Sequence, residues 1–412
     1  MTTYVDVKGG KMTGKTVLVL GGGFGGLAVA KHLRRQLATE NRIIVVEKSE
    51  TFYLQAYNLR LVTGEMKHPY EGERSISGLE SKGIEWVHDN ILEIDQNRMR
   101  VVTSSAGALY ADYIVIALGA DKLENKVPGF SEFAYNLYNP YGALRLREAL
   151  DKFNVGRVAI LICSEPYCCP AAPYEVAFLI DSIFRKRGIR HQVEIDNYTP
   201  EVRPVPSAGT NMGNAFLGML NEHNIGFHPR QKVQRIEKHQ IYFEDKRVYF
   251  DLLVGIPPHV APEVVRRSGL TDDTGWIPVD IETMRTAYPN IFAIGDVTSV
   301  QQPNPTGRFL PKAWVFADAE ARVIADNISA QIKGGDMKKR YDGRGFCYVD
   351  IDENLTAYAS GNFYGYPEPR LYLEQPSKRF LKERRELEKE KIDAFDLPPV
   401  GVPVLTSLPQ LK

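Results

Sequence analysis

The sequence predicts an α/β protein with two Rossmann-like units in tandem and a C-terminal segment packed at their interface. Three observations predict this. A glycine-rich turn joins an apolar run to a helical stretch at Val17–Leu37, a second run–turn–helix pattern begins at Arg157, and an apolar run ends in Gly-Asp at Asp296. Strands alternating with helices at this spacing indicate parallel βαβ units.

Composition narrows the function. The chain has 412 residues, with 51 Lys+Arg against 51 Asp+Glu, so its formal net charge is zero. That length fits two or three domains. Hydrophobic residues at 43% and charged residues at 25% match an ordinary soluble protein. A neutral chain lacks the electrostatic footprint of a nucleic-acid binder. The longest apolar run, Tyr113–Ala120, is far short of the roughly 20 residues that span a membrane. The opening MTTYVDVKGGKMTGK has no apolar stretch of the secretory kind, which points to the cytoplasm. Four cysteines are too few for a disulfide scaffold and suggest redox chemistry instead. There is no C-x-x-C pair and no H-E-x-x-H, so no metal is expected.

Taken in order, Val17–Leu20 is β-like, and Gly21-Gly-Gly-Phe-Gly-Gly26 follows at once. Leu27 to Leu37 has helical spacing, with apolar Leu27, Ala30 and Leu33. Ile43–Val46 is the next strand and leads into Glu47. This is G-x-G-x-x-G within a βαβ unit, with an acid about 20 residues past the last glycine. Gly21 allows the tight turn, Gly23 lets the backbone approach a diphosphate, and Gly26 lets helix and strand pack closely. Free N–H groups at the helix start favour the anion, and Glu47 is placed to accept hydrogen bonds from an adenosine ribose. A dinucleotide is therefore expected.

The fingerprint does not choose between FAD and NAD. Tyr113–Gly119 is an apolar strand ending in a small-residue turn, and Asn290–Asp296 is another, ending in Gly-Asp. This arrangement resembles the flavoproteins with two dinucleotide-binding domains, which include the glutathione-reductase-like enzymes. The resemblance implies FAD, with Asp296 hydrogen-bonded to its ribityl chain. The cofactor-binding candidates are Gly21, Gly23, Phe24, Gly25, Gly26 and Glu47, then Lys48, Ile91, Gly119, Gly295, Asp296 and Lys312. After a loop at Gln302 to Phe309 comes Pro311-Lys312-Ala313, and Ala313 to Ile332 is helical in pattern. Proline suits a first helical turn. The positive end of this helix is expected to favour the anionic reduced flavin. Lys312 either adds its charge there or is a solvated first-turn lysine.

Residues 151–270 repeat the theme. Arg157–Ile162 reads as a strand, and Tyr174 to Lys186 as a helix with Val176, Leu179, Ile180 and Ile183 on one side. The turn between them, Cys163-Ser-Glu-Pro-Tyr-Cys-Cys-Pro-Ala-Ala-Pro-Tyr-Glu175, contains no glycine. Its prolines remove N–H donors and fix φ, so it cannot wrap a diphosphate closely. This unit is expected to keep the fold without binding NAD(P)H, and electrons must come from another donor. Cys168 and Cys169 stand just before the helix N-terminus, where a thiolate is stabilised and its pKa lowered. Cys163, at a strand end, reads as a buried apolar residue. Cys347 falls within Arg344–Asp352, an expected strand.

This constellation resembles the sulfide:quinone oxidoreductases and the flavin subunit of flavocytochrome c sulfide dehydrogenase, from Val17 to about Phe380. Its sharpest element, Cys-Pro-x-x-Pro-Tyr-Glu at Cys169–Glu175, looks like the family's first active-site cysteine motif. Cys347, before the hairpin-like Leu355–Phe363, matches the second. The resemblance implies that Cys169 and Cys347 bridge on the flavin face as a disulfide or polysulfide. The family's cysteine stands four residues before the second proline, here Pro173, so Cys169 is preferred and Cys168 is the reserve. Hydrosulfide would open the bridge by thiol–disulfide exchange, FAD would take the electrons, and a quinone would receive them. Glu175 either moves protons or caps its helix. The alternatives are a type-II NADH dehydrogenase, a sulfur flavoenzyme with a soluble acceptor, and a non-enzymatic flavoprotein sensor.

The sequence departs from the family pattern in places. Ala117 to Phe130 lacks the third cysteine of many quinone-dependent members. Tyr53–Tyr57 has Ala56 where the flavocytochrome subunit attaches FAD through cysteine, so non-covalent FAD is expected. Lys378 to Lys391 carries seven basic and four acidic residues and a narrow stripe of Phe380 and Leu387. It reads as a solvated surface helix ahead of a membrane foot. Peripheral contact at the inner face of a membrane stays open, as do homo-oligomerisation and what the tail from Phe395 to Leu411 touches. Phe346, Tyr348 and Tyr364 line a quinone pocket or serve plain packing. An FAD-binding domain is expected over residues 1–130 and 272–333, and a second Rossmann-like domain over 131–271. An interface segment over 334–412 follows, linked through Lys333-Gly-Gly-Asp336.

Overall fold

In the computed structural model, which describes residues 14–400, the apolar runs become the centres of two parallel sheets. Thr16–Leu20 is buried at every position, as a strand covered on both faces must be. It pairs in parallel with Arg42–Glu47 on one side and Tyr113–Ile116 on the other. Glu85–His88 and Ile291–Ala293 complete this sheet at its edges. The second sheet repeats the order. Gly156–Ile162 is central between Val193–Tyr198 and Leu252–Ile256, with Gly226–His228 and Tyr135–Asn136 outermost. Each unit inserts a three-stranded antiparallel meander before its returning strand, at residues 91–110 and 233–249. The first sheet therefore takes its last strand from beyond the second unit, and the chain crosses between the units more than once.

Three helix starts differ from expectation. The first helix is Phe24–Gln36, so Gly25 and Gly26 lie in its opening turn ahead of Leu27. The helix over the second sheet begins at Ala172. The helix after the Gly-Asp turn begins at Trp314, which leaves Pro311 outside it. The segment ahead of it is held otherwise: Lys312 bridges in parallel with Cys168, and Cys169 N–H donates to Lys312 O at 2.6 Å. Phe24–Gln36 and Trp314–Ile332 pack along each other.

Arg344–Asp350, Thr356–Asn362 and Arg370–Ser377 form an antiparallel sheet. The helix Lys378–Asp393 follows, and its first turn donates Phe380 N–H to the Ser377 hydroxyl. The sequence reading of this helix as solvated is corrected here. Phe380, Arg384, Glu388 and Ile392 form a buried stripe at four-residue spacing, while Leu387 is only half-buried. The charged members of the stripe turn inward because partners await them there. Among the described residues, no helix is long and apolar enough to cross a membrane. Phe395 packs edge-on against Phe24 and Phe52, and Ser75 N–H donates to Pro398 O, so the start of the tail covers the first unit. The rest of the tail, from residue 401, lies outside the described residues.

Candidate active site

The glycines of the first turn divide by what their missing side chains face. Gly21 has φ +108°, and a Cβ there would meet Ala117 O at 2.4 Å. A Cβ on Gly26 would meet Gly21 O at 1.9 Å. Gly23 has nothing within 4 Å of that position. Gly21 and Gly26 thus serve the protein's own packing, and Gly23 leaves the open approach that a diphosphate requires. Glu47 is fixed at the strand end, accepting from Gly22 N–H at 2.7 Å and Ser49 N–H at 2.8 Å.

From this turn a cavity of about 280 Å³ runs towards the cysteines. Gly23, Phe24 and Gly25 line it, together with Gly119, Gly295, Asp296 and Lys312. Cys168, Cys169, Glu175 and Cys347 are on the same wall. Ala56 is also on the wall, and its methyl group offers no atom for a covalent link. Gly21, Gly26, Glu47, Lys48 and Ile91 are not on this wall. Lys48 is exposed, and its carbonyl accepts from the His88 ring. Ile91 packs against the core on the other face of the sheet, with Leu18 and Ile44.

Lys312 is not a solvated first-turn lysine. It is buried, with Nζ donating to Asp296 O and Thr298 O, both at 2.7 Å, and lying 3.7 Å from the centre of the Trp276 ring. Burial lowers its pKa to about 8.

The cysteine loop is held tightly. Cys169 has φ +45°, a left-handed conformation uncommon outside glycine and concentrated at functional sites. Tyr138 OH donates to Cys168 O at 2.6 Å and Cys169 O at 3.1 Å, and Ala172 N–H donates to Cys169 O at 2.9 Å. The adjacent thiols part company. Cys168 is buried and donates to Asp296 Oδ2 at 2.8 Å. Cys169 and Cys347 are partly buried, free thiols, and share the cavity wall. A second, apolar cavity of about 60 Å³ lies against the same two residues, lined by Met212, Phe216, Phe346 and Phe363 among others.

The lowered thiol pKa expected at a helix start is not found. Burial pushes Cys169 up to about 12, with Glu175 adding to the rise. Burial likewise raises Cys168 and Cys347 well above the ordinary thiol value, reinforced by Asp296 and Glu175 respectively. Desolvation outweighs the helix end. Phe346 and Tyr348 line the main cavity, whereas Tyr364 packs on Tyr341 and donates to Ile281 O at 2.8 Å. Tyr364 is therefore a packing residue.

Sequence reasoning missed Tyr138, Arg384, Glu388 and Glu201. The first three line the cavity. For Arg384 and Glu388 the signal was their spacing from Phe380 and Ile392 on one helical stripe. Glu201 follows the second strand of the second unit, much as Glu47 ends the second strand of the first. It is buried and accepts from Tyr167 OH at 2.9 Å, Thr199 Oγ1 at 3.1 Å and Tyr174 OH. Tyr167 belongs to the glycine-free loop and Tyr174 to the first turn of the helix after it, so the carboxylate that a ribose would need is already committed. Burial raises its pKa from 4.5 to about 8. The folded protein then keeps this proton to a higher pH than the unfolded chain, and stability falls as pH rises between those two values. Glu201→Gln is expected to flatten that slope. Its Tm should fall less than that of the unsubstituted protein between about pH 5 and about pH 9, and parallel declines would contradict the assignment.

The open Gly23, the anchored Glu47 and a continuous wall from the phosphate turn to the cysteines fit a flavin dinucleotide. Over 383 residues the chain is 27% identical to the mitochondrial sulfide:quinone oxidoreductase of Mus musculus, covering 88% of this chain and 81% of that protein. Over 374 residues it is 26% identical to the sulfide-quinone reductase of Aquifex aeolicus (strain VF5), covering 86% and 84%. The X-ray structure of the sulfide:quinone oxidoreductase from Aquifex aeolicus shares the fold. It has a TM-score of 0.83 at 23% identity, over 92% of this chain and 91% of that one. Residues 15–321, a stretch holding both parallel sheets and the Cys168–Cys169 loop, match the family model described as pyridine nucleotide-disulphide oxidoreductase, and the chain belongs to that family.

Proposed function

We propose that the chain oxidises sulfide to sulfane sulfur or polysulfide through Cys169 and Cys347, passing electrons by way of non-covalently bound FAD to a quinone. One observation carries this reading. Two cysteines from distant segments line the one cavity that begins at the phosphate turn. On this reading residues 1–130 and 272–333 hold FAD, 131–271 carry the cysteine loop, and 334–412 close the site. The mouse and Aquifex proteins are named for sulfide and quinone, and the chain spans most of both.

Bound FAD supplies a two-electron acceptor. Hydrosulfide attacks one sulfur of the oxidised Cys169–Cys347 pair. A new S–S bond forms, and the other cysteine leaves as thiolate with the bonding electrons. Glu175 takes the proton from the attacking sulfur. Ala56 supports non-covalent binding, and Phe346 and Tyr348 offer aromatic surface to a quinone ring. A quinone acceptor implies peripheral contact with a membrane surface.

Stopped-flow spectra of the flavin-loaded protein test the reading. Sulfide should bleach the flavin and NADH should not, since the second unit has no phosphate turn and Glu201 is tied to Tyr167 and Tyr174. Bleaching by NADH alone would assign the chain to NADH oxidation.

A further inference from the structure

Arg384 enters the cavity wall from the C-terminal helix and meets carboxylates from three elements. Its Nη1 lies 2.6 Å from Glu175 Oε1, on the helix that follows Cys169, and 2.9 Å from Asp350 Oδ1, three residues past Cys347. Its Nε lies 3.0 Å from Glu388 Oε1, one turn along its own helix. All four side chains are buried. Glu388 also pairs with Arg60, and the partly exposed Arg385 reaches Asp350 at 3.6 Å.

Three buried carboxylates share one fully buried guanidinium, and the partly exposed Arg60 and Arg385 reach the cluster from its edge. With its cations shared in this way, the cluster can take up a proton on one acid. Position selects that acid. Among the described residues, Asp350 and Glu388 each have a second cation, Arg385 and Arg60, and Glu175 has Arg384 alone. Glu175 also accepts Asp350 N–H at 3.0 Å. The other titratable groups facing it are Cys169 from its own loop, Cys347 from the strand opposite and Tyr138 from the first edge of the second sheet. Burial raises the pKa of Glu175, and Arg384 is the main group drawing it down. Arg384 also favours the thiolate at both Cys169 and Cys347.

We propose that Arg384 is a positioning residue for sulfide oxidation: it holds Glu175 beside the cysteine pair, ionised and ready to accept the proton of the attacking hydrosulfide. When Glu175 is protonated, Asp350 and Glu388 keep the guanidinium in place, so the carboxylate returns to the same spot after each turnover. In this step an S–H bond breaks, an O–H bond forms, and the electron pair stays on sulfur. The inference rests on the sulfide reading above.

The test follows flavin reduction by sulfide against pH in the holoenzyme. A base works above its pKa, and removing the neighbouring cation raises that pKa. In Arg384→Met the acidic limb of the rate profile should move up by about one pH unit, with the neutral-pH rate down about tenfold. Glu175→Gln should lose that limb. Arg384→Lys, which keeps the charge but not the fork, should fall between the parent and Arg384→Met. A purely structural Arg384 would lower flavin content and leave the limb of the surviving holoenzyme unmoved, which would overturn the proposal. If Arg384→Met does not retain FAD, Arg384→Lys decides on the same limb: an upward shift supports the proposal and an unmoved limb overturns it. If sulfide fails to bleach the unsubstituted protein, the sulfide reading itself fails. If it bleaches normally and the limb is identical in Arg384→Met, only the role of Arg384 fails.

Discussion

Cys347→Ser is expected to leave flavin binding intact and to slow flavin reduction by sulfide about a thousandfold or more. A serine oxygen neither forms nor exchanges an S–S bond, so the sulfur relay stops at its first step. The substitution is nearly isosteric at a partly buried position on the cavity wall, so the fold should survive it. Cys169→Ser should behave alike. Cys168→Ser should be far milder, because that thiol is occupied by Asp296, and a hydroxyl can make the same hydrogen bond. Cys163→Ser should affect stability rather than rate, since its thiol is buried among apolar side chains. Flavin content from the visible spectrum and the rate of bleaching by sulfide measure the two effects separately. Native-rate bleaching in Cys347→Ser would refute the two-cysteine mechanism.

The second large effect separates two glycines three residues apart. Gly26→Ala should destabilise the first unit by about 3 kcal/mol, because the new methyl would sit 1.9 Å from Gly21 O, and backbone cannot swing aside as a side chain can. Purified protein should be scarce, low in Tm and poor in flavin. Gly23→Ala meets no protein atom within 4 Å. It should fold with near-normal Tm and still lose flavin affinity, because the added methyl stands where the diphosphate must come. Thermal unfolding in the presence and absence of added FAD distinguishes them. Normal flavin content in Gly23→Ala would show that the diphosphate lies elsewhere.

The fold was legible because its signals are local. Val17–Leu20 and Tyr113–Ile116 read as strands because a parallel sheet covered on both faces needs unbroken apolar runs. The glycine pattern of the first turn is local too, and Gly26 answers to Gly21 five residues before it. What escaped depends on partners distant in sequence. The solvated reading of Lys312 stayed open because nothing near it in sequence announces two carbonyls and the Trp276 ring. The thiol pKa values went the other way because a helix start is visible in sequence and burial is not. Arg384 and Glu388 were hidden by their own composition. In a helix rich in both signs of charge, averaging obscures the four-residue stripe on which they sit.

The packing of Phe395 against Phe24 bears on how the protein is made. The wall containing Arg384 and Glu388 leaves the ribosome well after Ile291–Ala293 has finished the first sheet. Chains fold from their N-terminal parts during synthesis. The nucleotide cradle is thus complete while one side still stands open, and cofactor loading has a window before the final helix docks and shuts it in.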